Sequence, residues 1–302
     1  MISFEQFLQL PTEDVAALVR ATGQKVCVFP VNGTRRWFML EHADKIKDDF
    51  FSAYMEISIQ NHVELCSMLF EHGINTILAP VFGRELMRRG DEYTKRVGID
   101  GLVRTASDRT YRDFFNRYKV RVRFYGDYRD VLTGTPYEYA LKFMYEVTEA
   151  TKRNSSHRLF FGVFADEVTE TVSRLAVEHY LAEGAIPDKQ SLVRKYYGEE
   201  LPPVSLFIGF DKFSLFDMPL LGTGEEDLYF SLSPSPYMTI HQLRAILYDH
   251  IYIRRTPEPD YTKLTSEELD WLRIYYRDNK DHALGVGKIK FNLWFPETWG
   301  VS

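Results

Sequence analysis

The sequence is poor in cysteine, in long apolar runs and in surplus positive charge, and each shortage removes a class of function. Cys27 and Cys66 are the only cysteines in 302 residues. Both fall in apolar stretches, so the count excludes a disulfide framework or a cysteine-built metal site, and a reduced, cytoplasmic setting is expected. No apolar run approaches the ~20 residues that a membrane helix needs. The opening Met1-Ile2-Ser3-Phe4-Glu5-Gln6 lacks the basic-then-apolar layout of a signal peptide. Lys and Arg number 37 against 43 Asp and Glu, a formal charge of -6, so no sequence-independent grip on nucleic acid is expected. There is no Gly-x-Gly-x-x-Gly, no Walker loop, no histidine pair at zinc spacing and no nucleophile elbow. Asp48-Asp49-Phe50-Phe51-Ser52 superficially matches an Asp-Asp-x-x-Asp metal cluster, but Ser52 removes its third carboxylate. It reads as a solvated helix start, and the residues by themselves give no metal site.

Aromatics, by contrast, make up 15% of the chain. Most must be core, but such a surplus also suits a deep pocket for a hydrocarbon and ring faces turned to a carbocation. The stretch that organises the rest follows the apolar run at 25–30. A β-branched run stopping at Pro30 and then Asn32-Gly33 reads as a buried strand ending in a tight turn. Arg35, Arg36 and Trp37 come directly after it. Strand carboxyl ends are where α/β proteins seat ligands, and turn amides beside guanidinium forks suit a phosphate or diphosphate. Two solvated surface arginines are the plainer alternative.

Further strands are expected near 37–40, 75–80, 120–125, 158–164, 204–210 and 228–231. Helices are expected at about 12–22, 45–72, 137–151, 167–182, 188–197, 239–254 and 266–277, with helical segments through 83–119. Strands alternating with helices argue an α/β fold, a mainly parallel sheet covered on both faces. The reading is one domain, 1–302, with the Pro-rich span Thr256-Pro257-Glu258-Pro259 setting off a C-terminal arm at 257–302.

Gly33, Arg36 and Trp37 match the first signature of the cis-prenyltransferase (undecaprenyl diphosphate synthase) superfamily, Asp-Gly-Asn-x-Arg-Trp. Other stretches resemble its bacterial diterpene synthase branch, the tuberculosinol (tuberculosinyladenosine) and kolavelool synthase group. They include Met68-Leu69-Phe70-Glu71-His72-Gly73-Ile74, Phe124-Tyr125-Gly126-Asp127-Tyr128, His157-Arg158-Leu159, Phe207-Ile208-Gly209-Phe210, Phe216-Asp217 and Leu247-Tyr248-Asp249-His250-Ile251-Tyr252. The resemblance implies a homodimeric enzyme that ionises a bicyclic C20 prenyl diphosphate, releases diphosphate and traps the allylic cation. Water is the first-choice trap, giving a kolavelool-type alcohol. Transfer to a nucleoside, or an idle partner subunit, are the alternatives. It implies further that Gly33, Thr34, Arg35, Arg36 and Arg84 hold diphosphate, that Tyr54 and Asn32 orient the attacking group, and that Trp37, Phe82 and Tyr93 line the pocket. His157 reads as structural.

Two departures shape the expectation. Asn32 stands where the family has an aspartate that meets a magnesium diphosphate; an amide takes no proton at neutral pH and binds a hard cation less well. Mg2+ stays a candidate cofactor, and a strict requirement for it does not follow from the resemblance. The late Arg-x-Ser-Gly-Glu-x-Arg motif, which holds a second diphosphate, has become Leu221-Gly222-Thr223-Gly224-Glu225-Glu226-Asp227. Without its arginines a one-substrate ionisation survives, whereas condensation of two diphosphates should not.

Overall fold

A computed structural model describes residues 2–46, 49–216 and 218–297. Asp48 and Asp217, both named above, lie outside the described residues. Six strands form one sheet: β1 (Val26–Val28), β2 (Thr76–Phe82), β3 (Val120–Tyr125), β4 (His157–Val163), β5 (Leu206–Phe210) and β6 (Asp227–Ser231). Their order is β3-β4-β2-β1-β5-β6, and each neighbouring pair is parallel. The parallel α/β sheet expected from the sequence is thus present. A separate antiparallel pair, β7 (Gly287–Lys290) and β8 (Leu293–Pro296), follows near the end of the chain. Its two turn residues, Phe291 and Asn292, both have positive φ, which matches the twist of a tight hairpin. The sequence reading left this hairpin out.

The first helices are α1 (Phe4–Gln9), α2 (Thr12–Ala21), α3 (Thr34–Glu41), α4 (Phe50–Glu71), α5 (Arg84–Met87), α6 (Asp91–Tyr93), α7 (Asp100–Ser107) and α8 (Arg109–Arg117). Then come α9 (Tyr128–Leu132), α10 (Tyr139–Thr151), α11 (Val168–Glu183), α12 (Lys189–Tyr197), α13 (Ile240–Tyr248) and α14 (Ser266–Asn279). The expected strand at 37–40 is instead the body of α3. Trp37 and Phe38 are buried while Met39 and Leu40 are exposed; two adjacent inward residues fit a helical turn, not the alternation of a strand. Asp49 proves to be a helix cap, its carboxylate accepting from Phe51 N and Ser52 N at the start of α4 and pairing with Arg96.

Helix α4 lays Ile59, Leu65, Leu69 and Phe70 on one face of the sheet, each such burial contributing roughly 1.5–3 kcal/mol. Tyr125, Phe160, Tyr197 and Phe207 fill the opposite face under α12. The chain leaves β1 for β2 on one side and reaches β5 on the other. The carboxyl ends of β1 and β5 therefore flank a point where connections run in opposite directions, the usual ligand crevice of an open parallel sheet.

Candidate active site

At that crevice the loop after β1 is held by residues far along the chain. Asn32 N–H donates to Ser235 Oγ at 3.1 Å, and Ser235 N–H donates back to the Asn32 carbonyl at 3.0 Å. Gly33 then takes φ +77 as the cap residue of α3, leaving the first-turn amides of Thr34, Arg35 and Arg36 without intrahelical acceptors. Such amides with nearby cations form an anion seat. Arg36 lies over the Phe210 ring at 5.4 Å, with its Nη2 3.6 Å from Asp211 Oδ2. Asp211, directly after β5, has φ +73, a conformation that costs a non-glycine residue roughly 1–3 kcal/mol and recurs at functional sites.

Below this mouth lies a cavity of about 860 Å³ between the sheet and α4, near the upper end of small-molecule sites. Arg35, Arg36, Arg89 and Lys212 line it, against the acids Glu85 and Asp211. Its inner wall is apolar, with Met55, Ile59, Leu102 and Phe161. Between head and tail, Tyr54 OH sits 2.6 Å from Thr34 Oγ1. Burial first, then the nearby Tyr93 hydroxyl, push the Tyr54 phenol up to about 12, against the opposing Thr34 hydrogen bond. It is a neutral hydroxyl at working pH, able to orient a nucleophile but a poor base. Arg89 donates to Tyr93 OH at 3.1 Å and crosses that ring at 5.2 Å.

The floor carries one polar pair, His62 Nδ1 and Tyr111 OH, 3.2 Å apart, with the imidazole stacked on Phe161. Burial pushes His62 down to about 4 and the Tyr111 phenol up. Below pH ~6.5 the unfolded chain therefore takes a proton that native His62 refuses. Its contribution to stability is complete above that pH and lost on acidification, a fall of about 2 to 3 kcal/mol by pH ~4.5. Urea unfolding of the wild type and His62→Gln at both pH values checks this. The variant should show the smaller fall, and equal falls would place the proton uptake elsewhere.

The structure brings Asn32, Gly33, Thr34, Arg35, Arg36, Tyr54, Phe82 and Tyr93 to one cavity. Trp37 and Arg84 are not among its lining. Trp37 is turned inward by α3, its ring edge-on to His42 at 4.6 Å. Arg84 is exposed and pairs with Asp166 at 3.6 Å, while Arg89, five residues on and past the end of α5, supplies a cation to the cavity. His157 is structural, its Nδ1 2.8 Å from the Tyr118 carbonyl oxygen. Phe210, Asp211, Lys212, Arg89, His62 and Tyr111 were not anticipated. The strand end at Phe210 was the available signal, since residues just past a parallel strand face the crevice.

Over 299 residues the chain is 40% identical to tuberculosinyl adenosine transferase of Mycobacterium tuberculosis, spanning 98% of this chain and 99% of that protein. The chain belongs to the tuberculosinyl adenosine transferase family. A more distant relative of the same length class, (+)-kolavelool synthase of Herpetosiphon aurantiacus, is 21% identical over 98% of this chain and 96% of its own. No family model matches. Among solved structures, lavandulyl diphosphate synthase from Lavandula x intermedia in complex with dimethylallyl diphosphate superposes with a TM-score of 0.61 at 12% identity, covering 78% of this chain and 97% of that one. A probable undecaprenyl diphosphate synthase from Campylobacter jejuni gives 0.55 at 15% identity, with the same coverages of 78% and 97%. This member of the tuberculosinyl adenosine transferase family therefore has the cis-prenyltransferase fold and is an enzyme. No described helix is long and apolar enough to cross a membrane.

The magnesium implied by that fold has few donors here. Among the described residues no three His, Cys, Asp or Glu side chains cluster as metal ligands. The oxygens at the mouth include the Asn32 amide, the Glu85 carboxylate and Asp211, which Arg36 already engages. By themselves these residues do not compose a magnesium cage; a magnesium ion here would take most of its oxygens from the substrate's phosphates.

Proposed function

We propose that the enzyme ionises a bicyclic C20 prenyl diphosphate of the tuberculosinyl or kolavenyl type and passes the allylic cation to a nucleoside. The observation that carries this reading is a mouth of four cations and free helix amides set over an apolar cavity. A diphosphate head and a hydrocarbon body match the two halves. As the C–O bond breaks, its electron pair leaves with diphosphate, whose growing charge Arg35, Arg36 and the α3 amides stabilise; preorganised electrostatics of this kind is usually the largest catalytic term. The acceptor's lone pair then forms the new bond to carbon.

Two points favour a nucleoside over water. The 40% identical relative is by name an adenosine transferase. Water must shed a proton on attack, whereas a ring nitrogen need not, and the two groups expected to orient the acceptor are poor bases: Asn32 takes no proton and Tyr54 stays neutral. Capture by water, put first from the sequence, takes second place. What favours it is the Thr34–Tyr54 hydroxyl pair, a ready seat for one ordered water.

Purified enzyme incubated with tuberculosinyl or kolavenyl diphosphate, with and without adenosine, distinguishes the two by product mass. The expected result is an adenosine adduct, with at most slow alcohol formation when adenosine is left out. Alcohol alone, at a rate indifferent to adenosine, would establish the second reading. No diphosphate release from either substrate would remove both.

A further inference from the structure

A second cleft, of about 320 Å³, opens at the free edge of the sheet. Strand β3 ends the strand order, and the cleft lies along it between α10 and the C-terminal end of α12, closed by α9. In a chain with net charge -6, three cations line this cleft, Arg123, Arg129 and Lys195, and no carboxylate does.

The cations are poorly compensated. Glu199, the nearest acid, accepts from Arg121 Nη1 at 2.7 Å and stands 3.7 Å from Arg123 Nε. That Nε is buried with no hydrogen-bond partner among the described residues. Arg129 lies over the Tyr128 ring at 4.9 Å; neither it nor Lys195 has an ion pair among the described residues. The carbonyl end of α12 offsets about half a charge, and Glu199, shared by Arg121 and Arg123, at most one more.

The seat is also shaped. Gly198 has φ +78, and a Cβ there would stand 3.1 Å from Arg123 Nη1, so glycine is what lets the guanidinium lie against the helix end. Tyr145 and Thr148 add hydroxyls to the wall. Phe124 lines the cleft, Phe161 lines the cavity, and their rings stack at 5.5 Å.

We propose that this cleft binds a small phosphate-bearing anion at a site separate from the diphosphate mouth. Two guanidinium forks and an ammonium around a volume at the lower limit of ligand pockets suit a phosphate group with at most a small body attached. Free phosphate and a nucleoside monophosphate share that chemistry.

Titration calorimetry of the full chain at low salt, with inorganic phosphate in one arm and adenosine 5′-monophosphate in the other, tests the proposal. It is run on Arg36→Ala to weaken the mouth, and the Lys195→Glu comparison separates the heat of the cleft from what the mouth still gives. The expected result is saturable binding of one equivalent, weakened about tenfold or more by adding Lys195→Glu or Arg123→Met. Lys195 is exposed, so its substitution keeps the test decisive even if loss of the half-buried Arg123 disturbs the fold. Equal affinity in both arms identifies the phosphate as the ligand; tighter binding of the monophosphate adds its body to the recognised part. Absence of saturable binding in both arms, or an affinity unchanged by Lys195→Glu in a folded variant, would overturn the proposal.

Discussion

Arg36→Ala is expected to cut kcat/KM for the prenyl diphosphate about a hundred- to a thousandfold, the scale of losing one preorganised stabiliser of a developing oxyanion. Thermal stability should hardly move. The Arg36–Asp211 contact is 3.6 Å long and its guanidinium about one-third exposed, and such pairs contribute about 1 kcal/mol or less. The two readouts therefore separate. Arg36→Lys keeps the charge and loses the fork, so it should fall between the wild type and alanine. If Arg36→Ala retained activity within about threefold of the wild type, the leaving group would have to be held elsewhere.

The second large effect is expected at Gly33, and here stability and activity should fall together. Alanine at φ +77 carries a left-handed penalty of about 1–2 kcal/mol. Its Cβ would also lie 2.8 Å from Phe210 Cε1 and 2.8 Å from Pro234 Cβ, forcing apart the ring that seats Arg36 and the segment that holds Asn32. The sum is about 2–4 kcal/mol of destabilisation, with kcat/KM down about a hundredfold as the α3 amides shift. Urea midpoints and steady-state rates on one preparation check both. Wild-type turnover in a folded Gly33→Ala would mean that this loop does not hold the diphosphate.

Much of this was legible in the sequence, for reasons that can be named. Strands β2 to β6 announce themselves as short β-branched or aromatic runs between turn residues, and a parallel α/β sheet follows from their alternation with helices. The arginine turn was legible because its parts are contiguous. Helix α3 was misread because Trp37-Phe38-Met39-Leu40 is apolar throughout and too short to show a period. The missing half of the site was hidden for a different reason. Phe210, Asp211 and Lys212 acquire their role only because β5 pairs with β1, a fact of strand order that no local pattern contains. Arg84 and Arg89 look alike on paper, and the path of the chain after β2 decides which one reaches the cavity. The acceptor was barely legible, since Asn32 and Tyr54 lean toward a nucleoside while the Thr34–Tyr54 pair also suits a water. Full-length similarity to a transferase, not a motif, moved the balance.

The Asn32–Ser235 pair also says something about when this catalyst comes into being. The loop proposed to hold the anion is made 203 residues before the hydroxyl that fixes it. A ribosome-bound chain halted before that serine could build helices and begin its sheet while its first arginines stayed unaimed. Reactive cations would then be generated only once the chain had been made through that serine.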